Sequence, residues 1–266
     1  MPLTAILIGL VVGLSLGALG GGGSILTVPA LVYLLDQEPK AAVTGSLVIV
    51  GITSVMALVP HAREGRVRFV QGAVFGLLGI AGSVVGSALS ARVPSQVLLV
   101  GFSALMLLVA VLMLRRSSRR GGDAPTVGLP PVVQRGPVRV DWARALRIAV
   151  AATGVGLLTG FFGVGGGFVL VPALVLALGF PMPVAVGTSL LVIAINSATA
   201  LASRGGHGID LDWAVIAYFT AAAIIGSLMG GRLASRVPPA ILTRAFGVLL
   251  IVVAIGIGVQ SLGITG

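Results

Sequence analysis

The sequence contains no cysteine, and only 9% of its residues are charged. The first absence excludes disulfides, thiolate chemistry and cysteine-ligated metal sites. The second sets the chain apart from soluble globular proteins, where roughly a quarter of residues are charged. No Asp, Glu, Lys or Arg falls well inside any of its long apolar runs. Carboxylates within membrane helices mark proton and cation relays, so their lack argues against a proton pump or a cation antiporter. A nucleophile–base pair or metal-ligand set within the runs is also missing. An enzyme embedded in the membrane would need one. No catalytic residue, metal or cofactor is therefore expected.

What is present is apolar surface in excess. Hydrophobic residues make up 57% of the chain, and mean hydropathy is +1.14. A hydrocarbon core of ~30 Å is crossed by about 20 apolar helical residues. Runs at 47–59, 70–90, 97–114, 183–203, 213–231 and 245–262 span or nearly span it. The lipid bilayer is the expected solvent. The net charge of +10 does not point to nucleic acid, because its placement is local: residues 115–147 hold eight arginines against Asp123 and Asp141. Such a cluster between apolar spans reads as a cytoplasmic loop. The first basic side chain is Lys40, so a cleavable signal peptide with a basic start is not expected. Residues 1–19 read instead as a first membrane element.

The chain is duplicated. GLSLGALGGGGSILTVPALVYLL, starting at Gly13, returns as GLLTGFFGVGGGFVLVPALVLAL, starting at Gly156. A constant spacing aligns Gly17 with Gly160, Gly20 with Gly163, Pro29 with Pro172, Ala42 with Ala185, Ser46 with Ser189 and Gly65 with Gly208. One inserted residue later, Arg92-Val93-Pro94 aligns with Arg236-Val237-Pro238. Internal repeats decide the fold before other signals do. The expected architecture is an all-α polytopic membrane protein of two homologous repeats. Each repeat carries a Gly-rich broken or re-entrant helix pair plus three transmembrane helices, giving about 8–10 membrane elements. Residues 1–114 form the first repeat, 115–140 a solvated basic linker and 141–266 the second. Asp-Trp occurs at Asp141-Trp142 and Asp212-Trp213. Asp suits a helix N-cap and Trp the membrane interface, so both pairs read as helix starts.

Loop charges give an orientation. With the linker inside, the turn carrying Arg63, Arg66 and Arg68 is inside and the one carrying Arg92 outside. In the second half the turn at 179–183 is inside. The loop with Arg204, Asp210 and Asp212 is outside, and the turn with Arg232, Arg236 and Arg244 is inside. Both termini then lie outside. Corresponding loops fall on opposite sides, the pattern of an inverted-topology repeat.

Between the first two elements of each half lie Gly20-Gly21-Gly22-Gly23 and Gly163-Val164-Gly165-Gly166-Gly167. The element that follows is about 12 residues, near 18 Å as helix, too short to span. Non-helical backbone at membrane depth survives only inside protein or beside a water-filled cavity. Glycine runs let successive N–H groups converge on a ligand, and a following helix start adds a positive dipole end. Two inverted copies would bring two such starts together near the midplane. A small anionic substrate is expected there, with Ser24 adding a hydroxyl to the first run. Thr44, Ser46, Thr53, Thr188, Ser189 and Asn196 could add donors; the alternative is a hydroxyl bonded to its own helix. Glycines at four-residue spacing (Gly13, Gly17, Gly72, Gly76, Gly82, Gly86, Gly226, Gly230) read as close packing. Contiguous runs read as functional, since packing does not need several glycines in a row. Pro29 and Pro172 fit either helix starts or kinks. His61 and His207 read as solvated loop residues.

The duplicated Gly-x-x-Gly-x-Gly-Gly-Gly-x-x-x-x-Pro-x-Leu pattern at 160–174, followed by Ala-Val-Gly-Thr-Ser-Leu at 185–190, resembles the sulfite exporter TauE/SafE family of permeases, also described as 4-toluene sulfonate uptake permeases. The first copy departs from the pattern, with Gly21 and Ser24 in its glycine run and Thr44-Gly45-Ser46 in place of Gly-Thr-Ser. The resemblance implies transport of sulfite or an organosulfonate across a bacterial inner membrane. Transport of another small anion, a membrane enzyme or a membrane scaffold are the alternatives. Sequence leaves a homodimer open.

Overall fold

Among the residues described by this computed structural model (2–90, 93–119, 142–162, 167–204 and 211–261) every regular element is helical. The first half contributes α1 (Pro2–Leu19), α2 (Gly22–Pro29), α3 (Pro39–Arg63), α4 (Phe69–Ser90) and α5 (Ser95–Arg119). The second contributes α6 (Trp142–Phe162), α7 (Gly167–Leu176), α8 (Met182–Arg204), α9 (Trp213–Arg236) and α10 (Pro239–Ser261). Six of these, α3, α4, α5, α8, α9 and α10, are long and apolar enough to cross a membrane, while α1, α2, α6 and α7 carry shorter apolar stretches. The two short pairs sit where the two glycine runs lie in the sequence.

Local chemistry sets the boundaries. Asp212 Oδ1 accepts from the N–H groups of Ala214 and Val215, both at 3.1 Å, so the expected cap of α9 forms. Trp213 beside it is 64% exposed. Asp141 and residues 120–140 of the linker lie outside the described residues, while its first five, 115–119, are the last turn of α5 and not the expected solvated loop. Pro29 and Pro172 fall inside helices and start neither. After Pro29 the chain widens into a π-helical turn, Ala30–Leu34. Both short helices leave through the same turn. Asp36 (φ 51°) and Gly179 (φ 69°) take left-handed conformations at equivalent positions. The N–H groups of Gln37 and Phe180 reach back six residues to the carbonyls of Leu31 and Leu174 at 2.9 and 3.0 Å, one residue further than in a Schellman motif. The duplication thus extends to individual hydrogen bonds.

The spaced glycines do pack. A Cβ on Gly13 or Gly17 would collide with the backbone of Ala223 or Ser227, and one on Gly226 or Gly230 with that of Leu10 or Leu14. Gly82 and Gly86 press on Thr153 and Leu157 in the same way, and Gly156 and Gly160 on Gly79 and Ser83. The most extensive helix pairs are accordingly α1 with α9 and α4 with α6. Ascending residues meet ascending residues in both, so each pair runs parallel. In contrast, α3 and α8 run antiparallel: Gly51 meets Ser197, and Gly187 meets His61. So do α5 and α10, where Ser103 Oγ donates to the Ala254 carbonyl at 2.7 Å and Gly247 lies against Leu114.

The main apolar core wraps α7. Eight of its ten residues are buried, Gly167 through Pro172 with Leu174 and Val175. Phe168 stacks edge-on against Phe102 at 5.0 Å. Large apolar side chains such as Leu77, Val84, Val150 and Val252 point outward, each more than 60% exposed. An apolar exterior of this kind fits a hydrocarbon solvent.

Candidate functional site

The two short helices start against each other. A Cβ on Gly21, which precedes α2, would run into the carbonyl of Gly167, the first residue of α7, and lie 2.9 Å from Phe168 Cα. A Cβ on Gly167 would meet the Ser24 hydroxyl and lie 3.1 Å from Ile193 Cδ1. Gly20 bends the chain at φ +74°, a conformation that favours glycine. A Cβ there would be 2.5 Å from Ser189 Oγ and 3.1 Å from Val186 Cα. Gly20, Gly21, Ser24, Gly167 and Ser189 therefore form one cluster. The first turn of a helix leaves backbone N–H groups without intrahelical acceptors, and here two first turns lie against each other.

Other expected site residues lie elsewhere or have local roles. Gly23 lies against Leu16 and the Val12 carbonyl of α1, and Gly22 against Leu249 of α10. Gly20, Gly21 and Gly23 thus each have backbone within reach of a Cβ, while Gly22 closely meets only the end of the Leu249 side chain. Ser24 donates to the Gly21 carbonyl at 2.8 Å. Ser46 donates to Val43 at 2.7 Å and Ser189 to Val186 at 2.8 Å, so these hydroxyls bond to their own helices. Thr188 Oγ1 accepts from the Arg68 N–H at 3.2 Å, at the foot of α4. Gly45, between Thr44 and Ser46, faces Ile216 of α9. Gly163, Gly165, Gly166 and His207 lie outside the described residues.

Among the described residues five side-chain atoms are buried without a partner: Thr53 Oγ1, Ser54 Oγ, Asn196 Oδ1, His61 Nδ1 and Thr220 Oγ1. Thr53 and Asn196 occupy equivalent positions of the two repeats, close to the crossing of α3 and α8. A buried polar atom left unpaired costs ~1–3 kcal/mol. Ser54 escaped the sequence reading because a single serine in an apolar helix looks like any other; only its unbonded state separates it from Ser46.

His61 also corrects its expectation. It lies within α3, not in a loop, and is 2% exposed. Its Nε2 sits 3.3 Å from the Gly17 carbonyl of α1, and its Nδ1 has no partner. The helix runs through Pro60 to Arg63, further than the apolar run that ended at Val59. His61 lines a small recess with Ala18, Arg66, Met182, Val186, Ala234 and Leu242. The α3–α4 turn, the start of α8 and the α9–α10 turn therefore converge at one end of the bundle. Arg66 is paired with Glu64 at 2.8 Å.

Residues 5–257 match the family described as sulfite exporter TauE/SafE. A probable membrane transporter protein of Xylella fastidiosa is 34% identical over 247 residues, covering 92% of this chain and 90% of that protein. The probable membrane transporter protein YunE of Bacillus subtilis is 28% identical over 267 residues, covering 96% and 95%. A probable membrane transporter protein of Methanocaldococcus jannaschii is 25% identical over 203 residues, covering 74% and 70%. No solved structure matches.

Proposed function

The chain belongs to the sulfite exporter TauE/SafE family, and on that premise we propose that this integral membrane protein exports a small sulfur-containing oxyanion, sulfite or an organosulfonate, bound where α2 and α7 begin. The observation that carries this reading is the abutment of Gly21 and Ser24 on Gly167 and Phe168. Two helix starts lying against each other give a concentration of positive dipole and N–H donors that suits an anion. Both lie on short helices enclosed by long ones, where broken backbone is tolerated at membrane depth.

The halves are read as inverted copies. The antiparallel pairing of α3 with α8 and of α5 with α10 supports this, because these are equivalent elements of the repeat. The parallel pairing of α1 with α9 and α4 with α6 fits the same arrangement. The linker is placed on the cytoplasmic side of a bacterial inner membrane and both termini outside. The α3–α4 turn, the start of α8 and the α9–α10 turn all fall on the inner side by charge, and they line one recess.

Among the described residues, no long apolar helix carries a carboxylate within its membrane-crossing stretch. A membrane potential supplies ~2.3 kcal/mol per charge per 100 mV, roughly a fifty-fold gradient. Export of an anion from a negative interior then needs no coupling ion. Purified protein in vesicles loaded with sulfite tests this. Efflux should rise with an inside-negative potential and fall to background in Gly21→Leu. Absence of flux with sulfite, sulfate and short alkanesulfonates alike would overturn the proposal.

A further inference from the structure

The recess at the inner end of the bundle has features that the helix-break site does not use. His61 is buried with an unpartnered Nδ1. Arg66 shares the lining and leans out far enough to remain a quarter exposed. The two are tied together by the backbone, the Arg66 N–H donating to the His61 carbonyl at 2.9 Å. Met182 and Pro183, from the first turn of α8, complete one wall. The guanidinium is already engaged by an oxyanion, the carboxylate of Glu64 at 2.8 Å.

The recess also adjoins the helix break. Ala18 and Val186 line it. Gly17, one residue before Ala18, gives its carbonyl to His61. Gly20, two residues after Ala18, lies against Val186 and Ser189. One turn of α8 therefore separates the recess from the Gly20–Ser189 contact, and Gly21 then meets Gly167.

We propose that His61 and Arg66 form a second oxyanion-binding station at the inner mouth, with Glu64 as the built-in occupant that an incoming anion displaces. This rests on the anion-transport reading above and fails separately from it. A guanidinium presents a fork of N–H donors matched to two oxygens of a carboxylate, sulfonate or sulfite. The imidazole behind it keeps its Nε2–H on the Gly17 carbonyl, so the free Nδ1 is an acceptor for the O–H of a protonated oxyanion or of a bridging water. The space now enclosed is about 10 Å³, enough for one water. An oxyanion therefore enters only as Arg66 turns from Glu64 towards it. Other charges do not compete inside the recess. The lining residues of α1, α8, α9 and α10 are apolar, and Arg232, Arg236 and Arg244 are exposed. Net selection is for anions with at least two terminal oxygens over halides.

Calorimetric titration of the purified full-length protein with sulfite and with methanesulfonate tests the station. Glu64→Gln removes the occupant from an exposed position, so anion affinity should rise several-fold. Arg66→Gln should weaken binding ten-fold or more, with partial recovery in Arg66→Lys, and His61→Gln should weaken it several-fold. Gly21→Leu, which disturbs the meeting of α2 and α7, should lose flux yet keep anion binding at the mouth. Unchanged affinity in both Glu64→Gln and Arg66→Gln would overturn the station, as would chloride binding as tightly as sulfite. If wild type binds and its affinity follows these variants but no anion crosses the membrane, the station stands and the transport reading falls.

Discussion

Gly21 and Gly167 touch backbone to backbone, although one precedes α2 and the other opens α7 in the opposite half of the chain. No side chain fits between them. The contact brings the starts of the two short helices together.

The helix starts should be sensitive to bulk in proportion to what each glycine meets. Gly21→Ala places a methyl against the Gly167 carbonyl, a rigid neighbour. Gly22→Ala faces the end of the Leu249 side chain at 2.8 Å, which can turn aside. Overpacking against rigid structure costs about 1–3 kcal/mol. Flux assays on the pair should show a large loss for Gly21→Ala and a small one for Gly22→Ala. Equal losses would contradict the contact.

The parallel glycine seams carry stability. Gly17→Val or Gly230→Val should lower the unfolding midpoint in detergent, with a cost of at least ~1–3 kcal/mol from overpacking. Gly154, where nothing lies within 4 Å, is the control. Gly154→Ala should be neutral or stabilising by up to about 1 kcal/mol, the helix propensity difference. Thermal unfolding followed by circular dichroism measures both.

The antiparallel crossing of α3 and α8 can be trapped. The chain has no native cysteine, so an introduced pair reacts alone. A Cβ on Gly51 would lie 3.2 Å from that of Ser197, close to the ~3.5–4.5 Å range of disulfides. The double variant Gly51→Cys, Ser197→Cys should cross-link on oxidation, while Gly51→Cys with Ala185→Cys should not. Mobility on a gel after proteolysis in the linker reads the result. Failure of the Gly51–Ser197 pair to cross-link would contradict the crossing.

Thr53 and Ser54 hold hydroxyls that bond to nothing in the protein. Removing an unsatisfied buried hydroxyl should leave stability unchanged or raise it by about 1 kcal/mol. Thr53→Val and Ser54→Ala should therefore fold at least as well as wild type. If the α3–α8 crossing borders the substrate path, flux should drop several-fold all the same. Reduced stability with unchanged flux would assign the hydroxyls to structure.

Asp212 offers a simpler test of local reasoning. Its carboxylate caps α9 through two N–H groups, and Asp212→Ala should cost ~1 kcal/mol, typical of a lost N-cap. Unfolding in denaturant measures it.

The sequence by itself determined the membrane class, the duplication, the position of both helix breaks and the packing role of the spaced glycines. These depend on composition and on local periodicity, which act within a few turns of chain. Asp212 as a cap and the short α2 and α7 belong with them. Tertiary structure decided which residues meet. The contiguous glycines could be read only as a run; that Gly23 lies on α1, Gly22 on α10 and Gly21 on α7 depends on helices far apart in sequence. Ser46 and Ser54 are alike in sequence, yet one bonds to its own helix and the other to nothing. His61 looked like a loop residue because the apolar run stops before it, but α1, α8 and α9 close over it. Helix formation is local and can be read from the chain. Burial and the pairing of polar atoms are set by long-range packing, where no sequence period records the neighbour.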